Sequence, residues 1–455
     1  MIKKSIQQND YSIFKTMQYL GSKHRSITKI IEQSILYSKN GYILDLFAGS
    51  TTVSQAFSSI GKKTISNDIQ QFSKAFANAT LQINLEEKDL ISSLDKLDKL
   101  ISNHEEYKYY NTFKKFTNKE EKLLDSKNIS ELLSLYAAFP LIWNINRKET
   151  IEIQKLHHRF KKNIDKPGFE IGPITTLHYA GSYFGIKQSL DIDFLRTMIE
   201  QEKRQGEISN WQYNMFLTCL LTVVSKIVFS AGKHFAQPVK ATGIINTPVL
   251  NKRLIIDRSY SVVELFKETV TSFIQYSKNT SHCDKNIALN KSMEELLKSD
   301  FDLPVIDIIY ADPPYTAQQY SRFYHIPEII IEYKIPSLQV HKGSITKGIY
   351  PNNKYKSNFC SKNKVKDAFK DLFLLTKKLD SVLILSYSES KNSSTGNDRM
   401  IDFNSLDRLQ KDIIPDYTSL KIEFDFEYRQ LNKSKFVDKN KDDKEILIVY
   451  SRKLK

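Results

Sequence analysis

Two short blocks near the start of the chain limit its fold more than any other feature. "YILDLFAGS" (42–50) is an apolar run that ends in a glycine turn, and "TTVSQAFSSIG" follows with helical spacing, Thr51 or Thr52 near its cap and Gly61 past its end. "KTISNDI" then reads as a second strand and "QQFSKAFANATLQI" as a second helix. Parallel strands need a crossover, and the crossover helix lies on the sheet, so this alternation predicts strands covered on both faces. The chain opens as a doubly wound α/β sheet.

From about residue 85 to 280 the pattern changes to a stretch rich in Lys, Glu, Leu and Tyr, predicted to be mostly helical and without a fixed repeat. Alternation resumes with "KNIALN" (285–290), a helix at 292–298 and the apolar run Val305–Tyr310. A helix at 364–379, "SVLILSYSES" (381–390), "LKIEFDFEYRQ" (420–430) and "KEILIVYSRK" (444–453) complete it. One α/β domain is therefore expected from 1–84 and 281–455, interrupted by an inserted module at 85–280. In the helix predicted at 23–38, the spacing puts Ile27, Ile30, Ile31, Ile35 and Leu36 on one face.

Lys and Arg number 67 against 52 Asp and Glu, a net +15 that favours a polyanionic partner. The three cysteines, Cys219, Cys283 and Cys360, lie far apart, which argues against a disulfide framework or a zinc cluster. His157 and His158 have no carboxylate or thiol at ligand spacing, so no metal is expected. "MFLTCLLTVVSKIVFSA" (215–231) is cut by Lys226 and reads as a core helix rather than a membrane span. The start of the chain has no apolar leader, and a reducing cytoplasm is the expected location. Inside the insert, Arg147, Lys148, Lys155, Arg159, Lys161, Lys162 and Lys166 form a basic stretch that either tracks phosphates or is a solvated face.

Chemistry is expected at two strand ends. After Asp45 and Phe47, the small residues Gly49 and Ser50 let backbone N–H groups approach a ligand where a helix begins. The turn lacks G-x-G-x-x-G and G-K-[ST], so the usual phosphate cradles are not supported. Asp68 follows Asp45 by 23 residues, the spacing of an acid that accepts both ribose hydroxyls of an adenosine-type cofactor; a capping Asp beside a glycine turn is the structural alternative. The second end is "ADPPY". Two adjacent prolines cannot donate to a ladder, so the strand stops at Asp312-Pro313-Pro314-Tyr315.

"DLFAGS", "SNDI" and "ADPPY" together resemble the motif set of the S-adenosylmethionine-dependent DNA adenine-N6 methyltransferases, the family that includes the Dam-type enzymes. The cofactor block precedes the DPPY block with a long insert between them, as in the α-type order. The resemblance implies a Rossmann-like methyltransferase sheet with a largely helical target-recognition domain at 85–280, S-adenosyl-L-methionine as cofactor and double-stranded DNA as partner. It also implies base flipping, and either a cognate restriction endonuclease as partner or action alone as an orphan methylase. "MQYLGSKHRSI" (17–27) is similar to the family's leading motif, which lies against the methionine end of the cofactor and so places Tyr19, Gly21 and Lys23 there. Lys23 either pairs with the cofactor carboxylate or is a solvated lysine at a helix start. At the third strand end, where the family often has an acid, this chain has Asn290 and Ser292. "QYSRFYH" and "GKHFAQP", with His234 and Gln237, resemble one branch of the family.

The DPPY residues suit a particular difficulty. The exocyclic amine of adenine is a poor nucleophile because its lone pair is delocalised into the ring. Acceptors aimed at its N–H bonds draw the nitrogen toward sp³ geometry, and Asp312 and the Pro313 carbonyl are the acceptors expected here, with Pro314 stiffening the turn. Tyr315 gives the extruded base a face to stack on, worth about 1–3 kcal/mol against the few kcal/mol of flipping. Adenine in RNA and cytosine N4 remain open to the same amine chemistry, and a catalytically silent DNA-binding subunit is the alternative from another class. Cytosine C5 chemistry needs a nucleophilic cysteine, and none lies near Asp312. Recognition sequence and oligomeric state are not legible.

Overall fold

The computed structural model describes residues 11–21, 23–83, 87–102, 104, 107–144, 150–166, 172–280, 283–298, 302–314, 316–388, 400–427 and 444–452. Its central sheet has seven strands: β1 (Tyr42–Asp45), β2 (Thr64–Asn67), β3 (Ile287–Leu289), β4 (Ile306–Ala311), β5 (Val382–Ser388), β6 (Tyr417–Glu427) and β7 (Lys444–Arg452). They lie in the order β3-β2-β1-β4-β5-β7-β6. β1 to β5 pair in parallel, whereas β7 runs antiparallel to both neighbours. The expected mostly parallel, doubly wound α/β sheet is what the chain forms.

Alternation along the strands explains the layering. Ile43, Ile308, Tyr310, Ile384, Leu447 and Val449 point to one face, where they meet α1 (Ile27–Tyr37) and α2 (Thr52–Ser59). Leu44, Ile309, Ala311, Leu383, Leu385 and Ile448 point to the other, against the helix Val365–Lys378. Side chains of period two, apolar on both faces, require helices on both sides. In α1 the buried residues are Ile27, Ile30, Ile31 and Ser34, while Ile35 is 38% and Leu36 71% exposed. This corrects the expected face: the stripe follows i, i+3, i+4, i+7, and the fourth place falls to a serine whose hydroxyl bonds back to Ile30 O (2.7 Å).

Between α3 (Gln71–Leu81) and β3, ten α-helices are described from Glu87 to Lys278. The helix Asn210–Ile227 buries 12 of its 18 residues, its apolar run among them, while Lys226 stays exposed, and none of the described helices is long and apolar enough to cross a membrane. These helices share one large core with Phe72, Phe76 and Ala79 of α3 and with Tyr324, Ile326, Ile330 and Tyr333 around the helix His325–Glu332. The helical block is thus built onto the side of the sheet that carries the β2–α3 edge. His157 is buried with Nε2 at 3.0 Å from Pro140 O, which makes it a core histidine.

The strand order fixes where chemistry belongs. From β1 the chain steps outward to β2 and β3, then returns to the opposite side of β1 through β4. The carboxyl ends of β1 and β4 therefore flank the topological switch point, where open α/β sheets bind ligands. Asp45 sits opposite Tyr310 in the register, so Asp312 projects two residues beyond the last pair.

Candidate active site

At the end of β1 the chain turns through Leu46–Thr51 into α2. Gly49 has φ +50°, and a Cβ there would stand 2.6 Å from Cε1 of Tyr19, so the ring lies directly on the glycine. The Gly49 N–H donates to Asp68 Oδ2 (2.9 Å), and the Gln70 N–H donates to Asp68 Oδ1 (2.9 Å). Asp68 thus ties the β1 turn to the start of α3. Burial pushes its carboxyl up to about 6, against these two N–H donors. Asp45 lies beneath the turn, 1% exposed, and accepts from Ser54 Oγ (2.6 Å). Burial pushes it up to about 7, with the charges of Asp312 and Asp68 adding to the shift and Ser54 opposing it. Ser50 is buried, with its hydroxyl 2.9 Å from that of Thr52 and its carbonyl accepting from Thr16.

The tips of β2 and β3 are knitted by Asn67, a residue that sequence reasoning passed over. Its Nδ2 donates to Leu46 O (3.1 Å) and Lys291 O (3.0 Å), and its Oδ1 accepts from the Lys291 N–H (3.1 Å). An asparagine beside the strand-end acid in "SNDI" was the available signal. Asn290 donates to Asp68 O (2.8 Å). Ser292 is the cap of the helix Met293–Lys298: its hydroxyl accepts from the Glu295 N–H (3.1 Å) and its N–H donates to Glu295 Oε2 (2.7 Å).

The leading segment is held by residues far along the chain. The Leu20 N–H donates to Tyr324 Oη (2.6 Å), Tyr320 Oη donates to Leu20 O (3.4 Å), and Tyr19 stacks on Tyr324 with ring centres 4.4 Å apart. Gly21 faces Tyr320, whose hydroxyl a Cβ at that position would approach to 3.3 Å. Both tyrosines come from "QYSRFYH", so the two resembling blocks pack on each other. "GKHFAQP" packs behind them: the His234 ring meets Phe323 edge-on at 4.8 Å, and the Phe235 N–H donates to Phe323 O (3.0 Å). His234 is buried outside the cleft lining and Gln237 is exposed.

Lys23 is 4% exposed, and its Nζ lies 3.0 Å from Asp312 Oδ1. Its burial rules out the solvated alternative, and the lysine is paired with the DPPY carboxylate. Asp312 is partly open, Pro313 is buried and Pro314 half-buried; Tyr315 lies outside the described residues, as do Arg147 and Lys148.

One cleft, open to solvent, joins the two strand ends. It is lined by Tyr19, Phe47, Asp68, Ser292, Asp312 and Pro314 among the expected residues, and also by Glu294, Gln319 and Tyr355. Gly21, Lys23, Asp45, Gly49, Ser50, Asn290 and Pro313 are not in its lining, and the contacts above show most of them supporting the walls. Phe47 meets Phe359 edge-on at 5.5 Å, so the aromatic wall is fixed. A concave site with aromatic walls at Tyr19, Phe47, Tyr320, Tyr355 and Phe359 and a few polar groups suits a small organic molecule. Asp68 and Glu294 outnumber Lys291 in the lining and Asp312 is already paired with Lys23, which leaves the cleft favourable to a cation.

Residues 19–170 match the family model described as D12 class N6 adenine-specific DNA methyltransferase, and the resemblance seen in the sequence holds over that stretch. Modification methylase LlaI of Lactococcus lactis subsp. lactis is 24% identical over 359 residues, 78% of this chain and 44% of that protein. Modification methylase StsI of Streptococcus sanguinis is 25% identical over 60% of this chain and 35% of its own length. Type II methyltransferase M.FokI of Planomicrobium okeanokoites is 24% identical over 42% of this chain and 24% of its own. The matched region spans less than half the length of each of these relatives.

Proposed function

We propose that this chain transfers a methyl group from S-adenosyl-L-methionine to N6 of an adenine extruded from double-stranded DNA, acting in the cytoplasm as the modification arm of a restriction-modification system. The observation that carries the reading is the single cleft shared by Phe47 at the end of β1 and Asp312 at the end of β4, on the switch point of the sheet. A shared cavity is what brings a donor bound at one end within reach of a base held at the other.

The donor set fits the cofactor. Asp68, held rigid by two backbone N–H groups, is the acceptor for ribose hydroxyls; Phe47 supplies an apolar face; and the acidic lining suits a sulfonium. Tyr19, Gly21, the Gly49–Ser50 turn, Asn290 and Ser292 shape the surrounding wall. When bound, S-adenosylmethionine supplies an electrophilic methyl group.

The remaining work falls to Asp312. Its carboxylate accepts from one N–H of the amine while the Pro313 carbonyl accepts from the other, and the nitrogen lone pair becomes available as positive charge develops on N6. Lys23 holds that carboxylate in place from beneath, by the 3.0 Å ion pair. Pro314 stiffens the turn and Tyr315 stacks on the base. The helices of 85–280 are the module we assign to target choice.

Incubation with labelled S-adenosylmethionine and duplex DNA, followed by nucleoside digestion, tests the reading. N6-methyladenine that disappears in Asp312→Ala is the expected result. Label in N4-methylcytosine, label only on RNA, or transfer that survives Asp312→Ala overturns it.

A further inference from the structure

Between Glu332 and Asp367 the chain carries eight lysines and no carboxylate, more than half of its net +15. This segment returns to the cleft, where Tyr355, Ser357 and Phe359 join the lining beside Gln319 and Ser321. Hydrogen bonds fasten it there. Ser321 Oγ donates to Tyr355 O (2.6 Å), Gln319 Nε2 donates to Ser357 O (3.1 Å), and the Ser357 N–H donates to Gln319 Oε1 (2.7 Å).

On this frame three cations converge. The Arg322 guanidinium lies 5.1 Å from the Tyr350 ring centre and donates to its hydroxyl (3.2 Å). The Lys354 ammonium is also 5.1 Å from that ring centre and donates to Gln339 Oε1 (3.0 Å). Burial holds Lys354 below the usual lysine range, and the positive charges of Lys356 and Arg322 lower it further. Among the described residues no carboxylate pairs with any of the three. A lysine-rich loop that is merely solvated leaves its charges spread apart in water, whereas here two cations share one tyrosine ring with a third beside them. Like charges gathered without a counter-charge weaken the fold and strengthen the attraction for an anion.

An exposed hairpin extends the cluster. Its arms Val340–His341 and Ser344–Ile345 pair antiparallel, with Lys342 and Gly343 both at positive φ in a two-residue turn. The Gln339 N–H donates to Tyr350 O (2.8 Å), so the hairpin base is tied to the ring that carries the cations.

We propose that Arg322, Lys354 and Lys356 form a phosphate clamp on the rim of the cleft, gripping the DNA backbone beside the base delivered to Asp312, with Lys342 and Lys347 continuing the track. The clamp rests on the reading of the cleft as a DNA methylation site. It places the principal backbone contact after the DPPY loop rather than on the basic stretch of the insert, where Lys155, Lys161 and Lys162 stand exposed on the helix Ile151–Lys162.

The test is the salt dependence of binding of the full chain to a mixed-sequence duplex. Each phosphate contact contributes about 0.9 to the slope of log K against log salt. Arg322→Gln/Lys354→Gln/Lys356→Gln should lower the slope by about 2–3, and Lys356→Gln alone, at an exposed position, by about 1, with cofactor affinity unchanged. Lys155→Gln/Lys161→Gln/Lys162→Gln should move it less than the clamp variant does. A clamp variant with the wild-type slope overturns the proposal while leaving the methyltransferase reading intact if the wild type still methylates DNA. A wild type that binds cofactor but no duplex at any salt removes both.

Discussion

Replacing Gly49 by alanine should damage cofactor binding far more than it damages the fold. Two costs can be worked from the structure. Gly49 has φ +50°, and an L-residue held there costs about 1 kcal/mol. The new Cβ would lie 2.6 Å from a Tyr19 ring carbon, where ordinary contact is about 3.5–4.0 Å, so the ring must retreat by about 1 Å. That retreat breaks the parallel stack on Tyr324 at 4.4 Å, worth about 0.5–1.5 kcal/mol, and pushes Tyr19 within the cleft it lines. The sum is about 1.5–2.5 kcal/mol, or roughly 10- to 70-fold in cofactor affinity if it falls on the bound geometry. Gly61→Ala is the matched control: φ is +78° but nothing lies within 4 Å, so it meets the strain without the clash. Titration calorimetry with S-adenosylmethionine and urea unfolding of both variants separate the two. Equal cofactor affinity in the Gly49→Ala and Gly61→Ala proteins would refute the idea that this turn and Tyr19 form one wall of the cofactor site.

Other expectations concern the supports of the cleft. Tyr324→Phe removes the hydroxyl that receives the Leu20 N–H and should cost about 1 kcal/mol of stability, with KM for the cofactor rising severalfold and kcat nearly unchanged. Asn67→Ala orphans Leu46 O, Lys291 O and the Lys291 N–H and should lower unfolding free energy by roughly 2–3 kcal/mol, read by denaturant titration. Glu328 receives the Gln71 and Phe72 N–H groups at the start of α3, and burial pushes its carboxyl up to about 8 from 4.5. A raised acid adds stability that is full below its unfolded value and lost as pH rises through the folded one. Unfolding free energy should therefore fall between about pH 5 and 8, and Glu328→Gln should flatten that fall by up to about 5 kcal/mol, at about 1.4 kcal/mol for each pH unit the midpoint moves; an identical pH profile in the variant would exclude Glu328 as the cause.

The layers were legible because the signal is local. Alternation in "YILD", "IDIIYA" and "VLILSYS" needs only neighbours to state that both faces are apolar, and the strand ends announced themselves through glycine and paired prolines. What escaped were contacts between distant parts of the chain. Nothing local in "YLGSK" says that Lys23 will lie under Asp312, because that pairing exists only once β1 and β4 are neighbours. The same holds for Tyr320 and Tyr324 clamping Leu20. Leu36 was misplaced for a simpler reason: an apolar residue at a helix end resembles a core residue until the stripe is drawn through Ser34. The clamp residues were hidden because charge was counted over the whole chain and not over the segment that returns to the cleft.

The central claim is that the Asp312 carboxylate activates the amine and does not serve to bind the donor. Asp312→Asn preserves shape while placing a donor where an acceptor is needed. Single-turnover transfer of labelled methyl to duplex DNA should fall about 10²- to 10³-fold, with cofactor affinity within about twofold of wild type. Transfer at the wild-type rate would contradict the account, as would a loss that follows a matching loss of cofactor affinity.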